Sequence, residues 1–191
     1  MENLFSRNSF DIGRSIEKQS SSIIEPLLEE ETNGRYVYTD KGRLAKEFQK
    51  KYGDVLIQEK KNNGMWSVEI KAECKRSDNF FIEFWSNGKR FSPGWMFSLD
   101  ADLLFYHFLE SDELYIMKFT NLKKWFFFGE GFTKAGINYT PGYQRFPLKI
   151  QKKYEQLNDT WGQCIPIGVI KNEVGLKKIN PLGLFGMDKA A

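Results

Sequence analysis

The sequence predicts an α/β fold in which a mixed β-sheet is flanked by helices. Three observations indicate this class: apolar residues at helical spacing near the N-terminus, short apolar runs bounded by Asn-Gly turns, and a later apolar run that begins with acidic residues. The resulting order is helix, three strands, helix and strand. Such an order is typical of one α/β domain rather than of separate all-helical and all-strand units.

The composition indicates one folded domain. With 191 residues, 41% of them hydrophobic, the chain is long enough for a single core, so we expect one domain over residues 1–191 with a loose tail at 180–191. Two distant cysteines fit a reducing compartment, and the charged N-terminus lacks the apolar region of a signal peptide. No apolar run approaches the roughly 20 residues that a membrane helix needs. We therefore expect a cytoplasmic protein that does not associate with a membrane.

The first half of the chain predicts two helices and three strands. Isoleucine and leucine recur at helical spacing over residues 11–31, where Pro26 is a candidate kink. Residues 39–53 indicate a second short helix or a turn-rich segment. The stretch 52–73 reads as a hairpin around Asn-Asn-Gly, and residues 79–87 as a third strand.

The second half predicts two further helices and two more strands. A serine followed by two acidic residues opens the predicted helix, as the helix dipole favours. The expected elements are a helix at 98–111, a strand at 113–119, a further helix at 121–128, a long loop at 129–147 and a last strand at 162–170.

The hairpin gathers charged residues on one face. If the loop comprises the four residues 61–64, Asp54 lies opposite Lys71, and Glu69 shares their face because side chains on a strand alternate. Opposed side chains lie roughly 5 Å apart and diagonal ones roughly 7 Å, close enough for two carboxylates to share a divalent cation. A slip of one residue in the register would separate them. The other interpretation is the solvated polar face of an ordinary hairpin.

Two carboxylates and a lysine suit phosphodiester cleavage. Carboxylates hold Mg²⁺, which lowers the pKa of a bound water, while the lysine orients that water or helps to deprotonate it. Asp54, followed after fourteen residues by Glu69-Ile70-Lys71, resembles the motif of the PD-(D/E)xK nuclease superfamily, which includes restriction endonucleases, Holliday-junction resolvases and phage exonucleases. The predicted element order is similar to the core of that fold. Residues 40–117 also resemble uncharacterised bacterial and phage-encoded members.

The resemblance implies a restriction endonuclease-like core and a Mg²⁺-dependent DNA nuclease, of endonuclease or resolvase type, that also accepts Mn²⁺. Asp54 and Glu69 are then metal ligands and Lys71 acts at the attacking water. An acidic residue of the first helix often completes such sites, and Glu17 is the first choice here, with Glu25 the second. DNA is the implied partner. A homodimer is a second one, because many such enzymes pair to cut two strands.

The chain departs from the motif in one place and offers competing matches. Gly53 stands near the position of the proline that names the motif, and both Glu59-Lys60-Lys61 and Glu73-Cys74-Lys75 also fit Glu-x-Lys. The Glu73 triplet competes directly, because it continues the same strand face.

Other polar residues have structural interpretations. Glu83 is expected near the same sheet region in a supporting role, Asp100 and Asp102 at a helix N-terminus, and His107 in packing within that helix.

Basic residues between Tyr143 and Tyr154 interleave with aromatic ones. Such segments bind a phosphate backbone and stack on bases, so contacts with DNA are expected from Arg145, Lys149, Lys152 and Lys153. Two other functions stay open: a catalytically idle nucleic-acid-binding or structural module of the same fold, and an unrelated α/β interaction protein.

Overall fold

Two β-sheets, rather than a single sheet, form the framework of the protein. The computed structural model describes residues 9–32, 34–37, 43–59, 64–129, 140–151 and 160–181. The predicted tail therefore lies outside the described residues from position 182 onward.

The first part of the chain contains two helices and four strands. Both predicted helices and all three predicted strands are present, whereas β1 was not expected. Pro26 lies inside α1, which continues through it. The bounds are α1 Ser9–Thr32, β1 Gly34–Val37, α2 Arg43–Tyr52, β2 Val55–Glu59, β3 Met65–Glu73 and β4 Asn79–Asn87.

The second part begins with a 3₁₀ turn and alternates short helices with strands. The predicted strand at 113–119 and the predicted helix at 121–128 correspond to β7 and α4. The elements are the 3₁₀ turn Gly88–Arg90, β5 Ser92–Pro93, α3 Trp95–Ser98, β6 Leu103–Phe108, β7 Glu113–Lys118, α4 Phe119–Phe128, α5 Gly142–Arg145, β8 Leu148–Gln151, β9 Thr160–Pro166, α6 Ile167–Glu173 and β10 Lys177–Ile179.

The larger sheet has six strands in the order β1-β2-β3-β6-β7-β10. β3 and β6 run parallel, and the other neighbouring pairs are antiparallel, so the sheet is mixed. The smaller, antiparallel sheet has the order β5-β4-β9-β8. The expected α/β class with a mixed sheet and flanking helices is confirmed.

Side chains of the larger sheet alternate between two apolar clusters. On one face, Val68 and Ile70 of β3 pack with α1. On the other, Leu104 and Tyr106 of β6 pack with β4, β9 and α4. By the same alternation, residues 69 and 71 of β3 point away from the α1 cluster and toward the smaller sheet. Within the described ranges, no helix combines the length and the apolar character that crossing a membrane requires.

The predicted helix at 98–111 is wrong, because its apolar run forms strand β6. This strand lies between β3 and β7 and is buried on both faces, so its sequence is continuously apolar instead of alternating. An apolar run of this length cannot be distinguished from a buried helix by periodicity.

The acidic residues before β6 consequently do not cap a helix. One carboxylate oxygen of Asp102 accepts hydrogen bonds from the backbone N–H and the hydroxyl of Ser67, both at 2.8 Å. These bonds tie the start of β6 to β3. Asp100 is exposed and lies 3.8 Å from the ammonium group of Lys123.

The predicted sequence of helix, three strands, helix and strand in one sheet is also wrong. The third strand, β4, belongs to the smaller sheet, where it pairs with β5 and β9. The expected strand at 162–170 ends at Pro166, and α6 follows it. The expected loop at 129–147 contains α5, and its residues 130–139 lie outside the described ranges.

Candidate active site

A cavity of about 530 Å³ is lined by residues from both sheets and from α1, α2 and α3. It brings together the four residues that the sequence predicted for a catalytic site: Glu17, Asp54, Glu69 and Lys71. The remaining lining residues are Gln49, Lys50, Glu83, Ser86, Pro93, Trp95, Ser98 and Leu99. Four carboxylates and two lysines thus share one cavity.

The position of Asp54 depends on Gly53. Gly53 has a φ of +99°, and a Cβ atom on it would lie 2.6 Å from the backbone oxygen of Val68. Only glycine allows both this conformation and this close approach to β3. The turn ends α2 and places Asp54 directly before β2, where its backbone N–H donates to Val68 at 2.8 Å. A glycine is therefore required at position 53 for a local steric reason.

Both carboxylate oxygens of Asp54 accept hydrogen bonds. One accepts the backbone N–H of Ile70 at 2.9 Å, and the other accepts the side-chain amide of Gln49 at 2.8 Å. The carboxylate is therefore oriented by α2 and by β3 together. Gln49 was not identified from the sequence; the signal was its place one helical turn before the Gly-Asp pair.

The predicted register of the hairpin is wrong by two residues. Val55 pairs with Val68 and Leu56 with Ser67, so the numbers of paired residues sum to 123 and not to 125. Because the period of a strand is two, this shift keeps every side chain on its expected face. The charged residues therefore still lie on one side of β3.

Lys71 contacts two carboxylates. Its Nζ lies 2.6 Å from Oε1 of Glu69 and 3.6 Å from Oε1 of Glu17 on α1. The Glu69 side chain is 5% exposed, whereas those of Lys71 and Glu17 are 25% and 46% exposed. The lysine is thus the positive charge that partly balances a buried carboxylate.

The electrostatics of this group are strongly perturbed. Burial raises the pKa of Glu69 to about 8; the charge of Lys71 opposes this rise and that of Asp54 adds to it. Burial alone would lower the pKa of Lys71, but the charges of Glu69, Glu17 and Asp54 outweigh it and hold that pKa above its usual value. The Lys71 ammonium is therefore charged at neutral pH, whereas the Glu69 carboxyl group ionises only at a higher pH than an ordinary glutamate.

Glu83 joins the site from the smaller sheet. Burial raises the pKa of Glu83, while Lys71 and a hydrogen bond from the backbone N–H of Trp95 oppose the rise. A Cβ atom on Gly94 would lie 2.7 Å from Cγ of Glu83, so the chain approaches this side chain closely at a glycine. The sequence predicted Glu83 near the same sheet region in a supporting role, and the structure places it in the lining of the cavity.

Of the alternative acidic residues, Glu73 has a described side chain, and it is not among the residues that line the cavity. Glu73 accepts a hydrogen bond from the hydroxyl of Tyr106, while Cys74 and Lys75 are exposed. Glu25 lies in α1 and Glu59 ends β2, and the side chains of both are outside the described part of the structure. Of the three Glu-x-Lys triplets, the one at Glu69 shares the cavity with Asp54.

Arg145 and Lys149, the two described residues of the four basic ones predicted to bind DNA, are not among the residues that line the cavity. Arg145 forms a two-pronged ion pair with Glu173, one bond of which measures 2.9 Å, and its guanidinium lies 5.7 Å from the ring centroid of Trp125. Lys149 is exposed on β8, and Lys152 and Lys153 lie outside the described residues. Arg145 therefore already has a partner within the chain.

His107 is completely buried on β6, away from the cavity. Its Nδ1 lies 3.0 Å from the hydroxyl of Ser20, and its Nε2 lies 4.0 Å from Asp112. Burial lowers the pKa of His107 to about 4. The expected packing role is consistent with this setting, although the residue lies on a strand and not in a helix.

The donor set suits a hard divalent cation. Carboxylate oxygens are the ligands that Mg²⁺ prefers, and the cavity carries more carboxylates than ammonium groups. Among the described residues, however, no three His, Cys, Asp or Glu side chains are arranged to hold one metal ion. Lys71 lies against two of the carboxylates, those of Glu69 and Glu17. Comparisons with protein-family models, with curated proteins and with solved structures gave no match for this chain.

Proposed function

We propose that the protein is a Mg²⁺-dependent phosphodiesterase that acts on DNA, an endonuclease or resolvase-like enzyme with a restriction endonuclease-like core. The observation that carries the proposal is the convergence of Glu17, Asp54, Glu69 and Lys71, which come from α1, the α2–β2 turn and β3, on one cavity. The resemblance of the Asp54 and Glu69-Ile70-Lys71 motif to PD-(D/E)xK nucleases supports it.

In this proposal, Asp54, Glu69 and Glu17 hold the ion. Mg²⁺ in such a site neutralises charge on the scissile phosphate and lowers the pKa of an attacking water. A phosphodiester is itself an anion, so a cavity with an excess of carboxylates accepts it only when further positive charge is present. Glu69 binds a cation only in its ionised form, and metal affinity therefore rises with pH.

Lys71 orients the attacking water and stabilises developing negative charge. Its raised pKa keeps the ammonium protonated at neutral pH, and a protonated lysine donates hydrogen bonds but accepts no proton. This favours an orienting and charge-stabilising role over that of a general base. Gln49 and the backbone N–H of Ile70 keep Asp54 oriented toward the cavity.

A catalytically idle nucleic-acid-binding module is the second candidate function. The short contact of 2.6 Å between Lys71 and Glu69 favours it, because a lysine that permanently neutralises the carboxylate excludes a cation. The nuclease cleaves DNA, whereas the idle module binds it without cleavage.

Cleavage of a DNA panel with Mg²⁺ or Mn²⁺ tests the proposal. The panel contains linear and supercoiled duplex, single-stranded DNA and a branched junction, each incubated with the folded protein and with or without EDTA. Cleavage that requires the metal supports a nuclease. Binding without cleavage under either metal supports the idle module.

A further inference from the structure

Three aromatic side chains, Trp85, Phe91 and Phe97, form an aromatic patch that is carried by β4, by the end of the 3₁₀ turn and by α3. Phe91 is 74% exposed and Phe97 is 45% exposed. The rings of Trp85 and Phe97 are stacked with centroids 5.8 Å apart, and Phe91 meets Trp85 edge-on at 6.0 Å. These rings contact one another while leaving much of their surface to solvent.

The aromatic patch and part of the cavity lining are carried by the same two elements. Ser86 directly follows Trp85 on β4, Ser98 directly follows Phe97 on α3, and both serines line the cavity.

Phe91 adopts a backbone conformation that phenylalanine disfavours. Its φ of 51° lies in the left-handed region, which bulky residues rarely enter. The strain is not compensated by burial, since most of the ring is exposed. Phe91 ends the 3₁₀ turn in this conformation, with its backbone N–H donating to the carbonyl oxygen of Gly88. Residues held in sparsely populated backbone regions cluster at active sites and ligand-binding sites.

Two cations precede Phe91 in the 3₁₀ turn. Lys89 and Arg90 are both exposed, and the turn is held by the Asn87 side chain, which accepts the backbone N–H of Arg90 at 3.1 Å. Positive side chains next to exposed aromatic rings are the combination that binds single-stranded nucleic acid, with phosphates on the cations and bases on the rings.

We propose that the aromatic patch, with Lys89 and Arg90, binds unpaired bases of single-stranded DNA. This inference rests on the proposed function and specifies its substrate class: DNA with an unpaired segment beside the scissile phosphate, such as a free strand, a flap or the arm of a junction. The faces of bases inside a continuous duplex are covered by their neighbours, so exposed rings stack only on bases that are free.

Binding measured without metal tests the inference separately from cleavage. Fluorescence anisotropy of a labelled oligothymidine is recorded in EDTA with wild type, Phe91→Ala and Phe91→Tyr. We expect Phe91→Ala to weaken binding roughly five- to a hundredfold, in line with the loss of one stacked base, and Phe91→Tyr to retain it. Met65→Ala, which truncates an apolar side chain that is 48% exposed on β3, is the matched control and leaves binding unchanged.

The cations are tested by the salt dependence of the same binding. The double variant Lys89→Ala/Arg90→Ala is expected to reduce the slope of log K against log salt by about 1.4, the value for two lost phosphate contacts on a single strand. Lys171→Ala, an exposed lysine on α6, leaves the slope unchanged.

Two results overturn the inference. The first is equal affinity for duplex and single strand with no effect of Phe91→Ala. The second is self-association that Phe91→Ala abolishes, without binding of oligothymidine, which assigns the patch to contacts between copies of the chain. Neither result bears on metal-dependent cleavage of the panel, so a failure here is distinguishable from a failure of the proposed function.

Discussion

The ammonium nitrogen of Lys71 lies 2.6 Å from a carboxylate oxygen of Glu69, two residues earlier on the same strand. The pair is set in a cavity where Asp54, Glu17 and Glu83 add further negative charge. A carboxylate that is 5% exposed among other carboxylates is an unfavourable arrangement for stability. Such arrangements are concentrated at functional sites, where burial and neighbouring charges tune reactivity.

Glu69→Gln is expected to stabilise the fold at alkaline pH. Burial raises the folded-state pKa of Glu69 to about 8 from 4.5, so the folded state binds this proton more tightly than the unfolded state. The contribution of protonated Glu69 to the stability of the folded state is complete below about pH 4.5 and is lost as the pH rises toward about 8. The glutamine variant has no such proton to lose. Its free energy of unfolding in urea should therefore exceed that of wild type at pH 9 by about 1–3 kcal/mol. Glu47→Gln on the exposed face of α2 is the control, and an equal pH dependence in Glu69→Gln and wild type contradicts the assignment.

Divalent cations are expected to raise the melting temperature through Asp54. Binding to the folded state at a hundred times the Kd adds about 2.7 kcal/mol, which corresponds to several degrees. The increase is larger at pH 8 than at pH 5, because Glu69 must lose its proton to bind the ion. Asp54→Asn abolishes the increase, whereas Asp78→Asn, at an exposed carboxylate outside the cavity, retains it. If divalent cations raise the melting temperatures of Asp54→Asn and Asp78→Asn equally, the proposed metal site at Asp54 is contradicted.

Gly53→Ala is expected to displace Asp54 and destabilise the fold. The new Cβ atom meets the Val68 backbone oxygen at 2.6 Å, in addition to the penalty of a positive φ. Gly175 measures the penalty of a positive φ alone. Its φ is +84°, and no atom of the described residues that are not its chain neighbours lies within 4 Å of the point that a Cβ atom on it would occupy. Gly175→Ala should cost about 1–2 kcal/mol in urea unfolding, and Gly53→Ala clearly more. Equal costs contradict the close approach of Gly53 to β3.

His107 is expected to make the protein sensitive to acid. Its folded-state pKa is lowered to about 4 from 6.5, so the unfolded state binds this proton more readily between those values. The stability that His107 contributes is complete above about pH 6.5 and falls by roughly 3 kcal/mol as the pH drops to about 4. Because Glu69 acts in the opposite direction, the measurement is the difference in unfolding free energy between wild type and His107→Gln at several pH values. If the difference in unfolding free energy between wild type and His107→Gln does not decrease as the pH is lowered, the predicted effect of burial on the pKa of His107 is contradicted.

The sequence predicted the grouping of the site better than the topology that creates it. Asp54, Glu69 and Lys71 share a face in any register that is shifted by an even number of residues, so the two-residue error did not matter. Glu17 was expected only because the resemblance implies an acidic residue in the first helix, and α1 carries this residue to the cavity.

The two errors in the topology of the sheets have one common physical origin. A strand buried on both faces, such as β6, loses the alternation that distinguishes it from a helix. Without β6 as the parallel neighbour of β3, the sequence cannot show that β4 belongs to a second sheet. The aromatic patch depends on that second sheet and was therefore not recognised.

The most direct test of the proposed nuclease is the initial rate of metal-dependent DNA cleavage by wild type, Lys71→Ala and Asp54→Ala on the same panel. We expect cleavage by wild type with Mg²⁺ or Mn²⁺ and a fall of about a hundredfold or more in both variants, the usual cost of removing a group that stabilises a transition state. Lys118→Ala, at an exposed lysine that ends β7, keeps the wild-type rate. A folded wild type that cleaves no member of the panel, or variants that cleave at the wild-type rate, would contradict the proposed function.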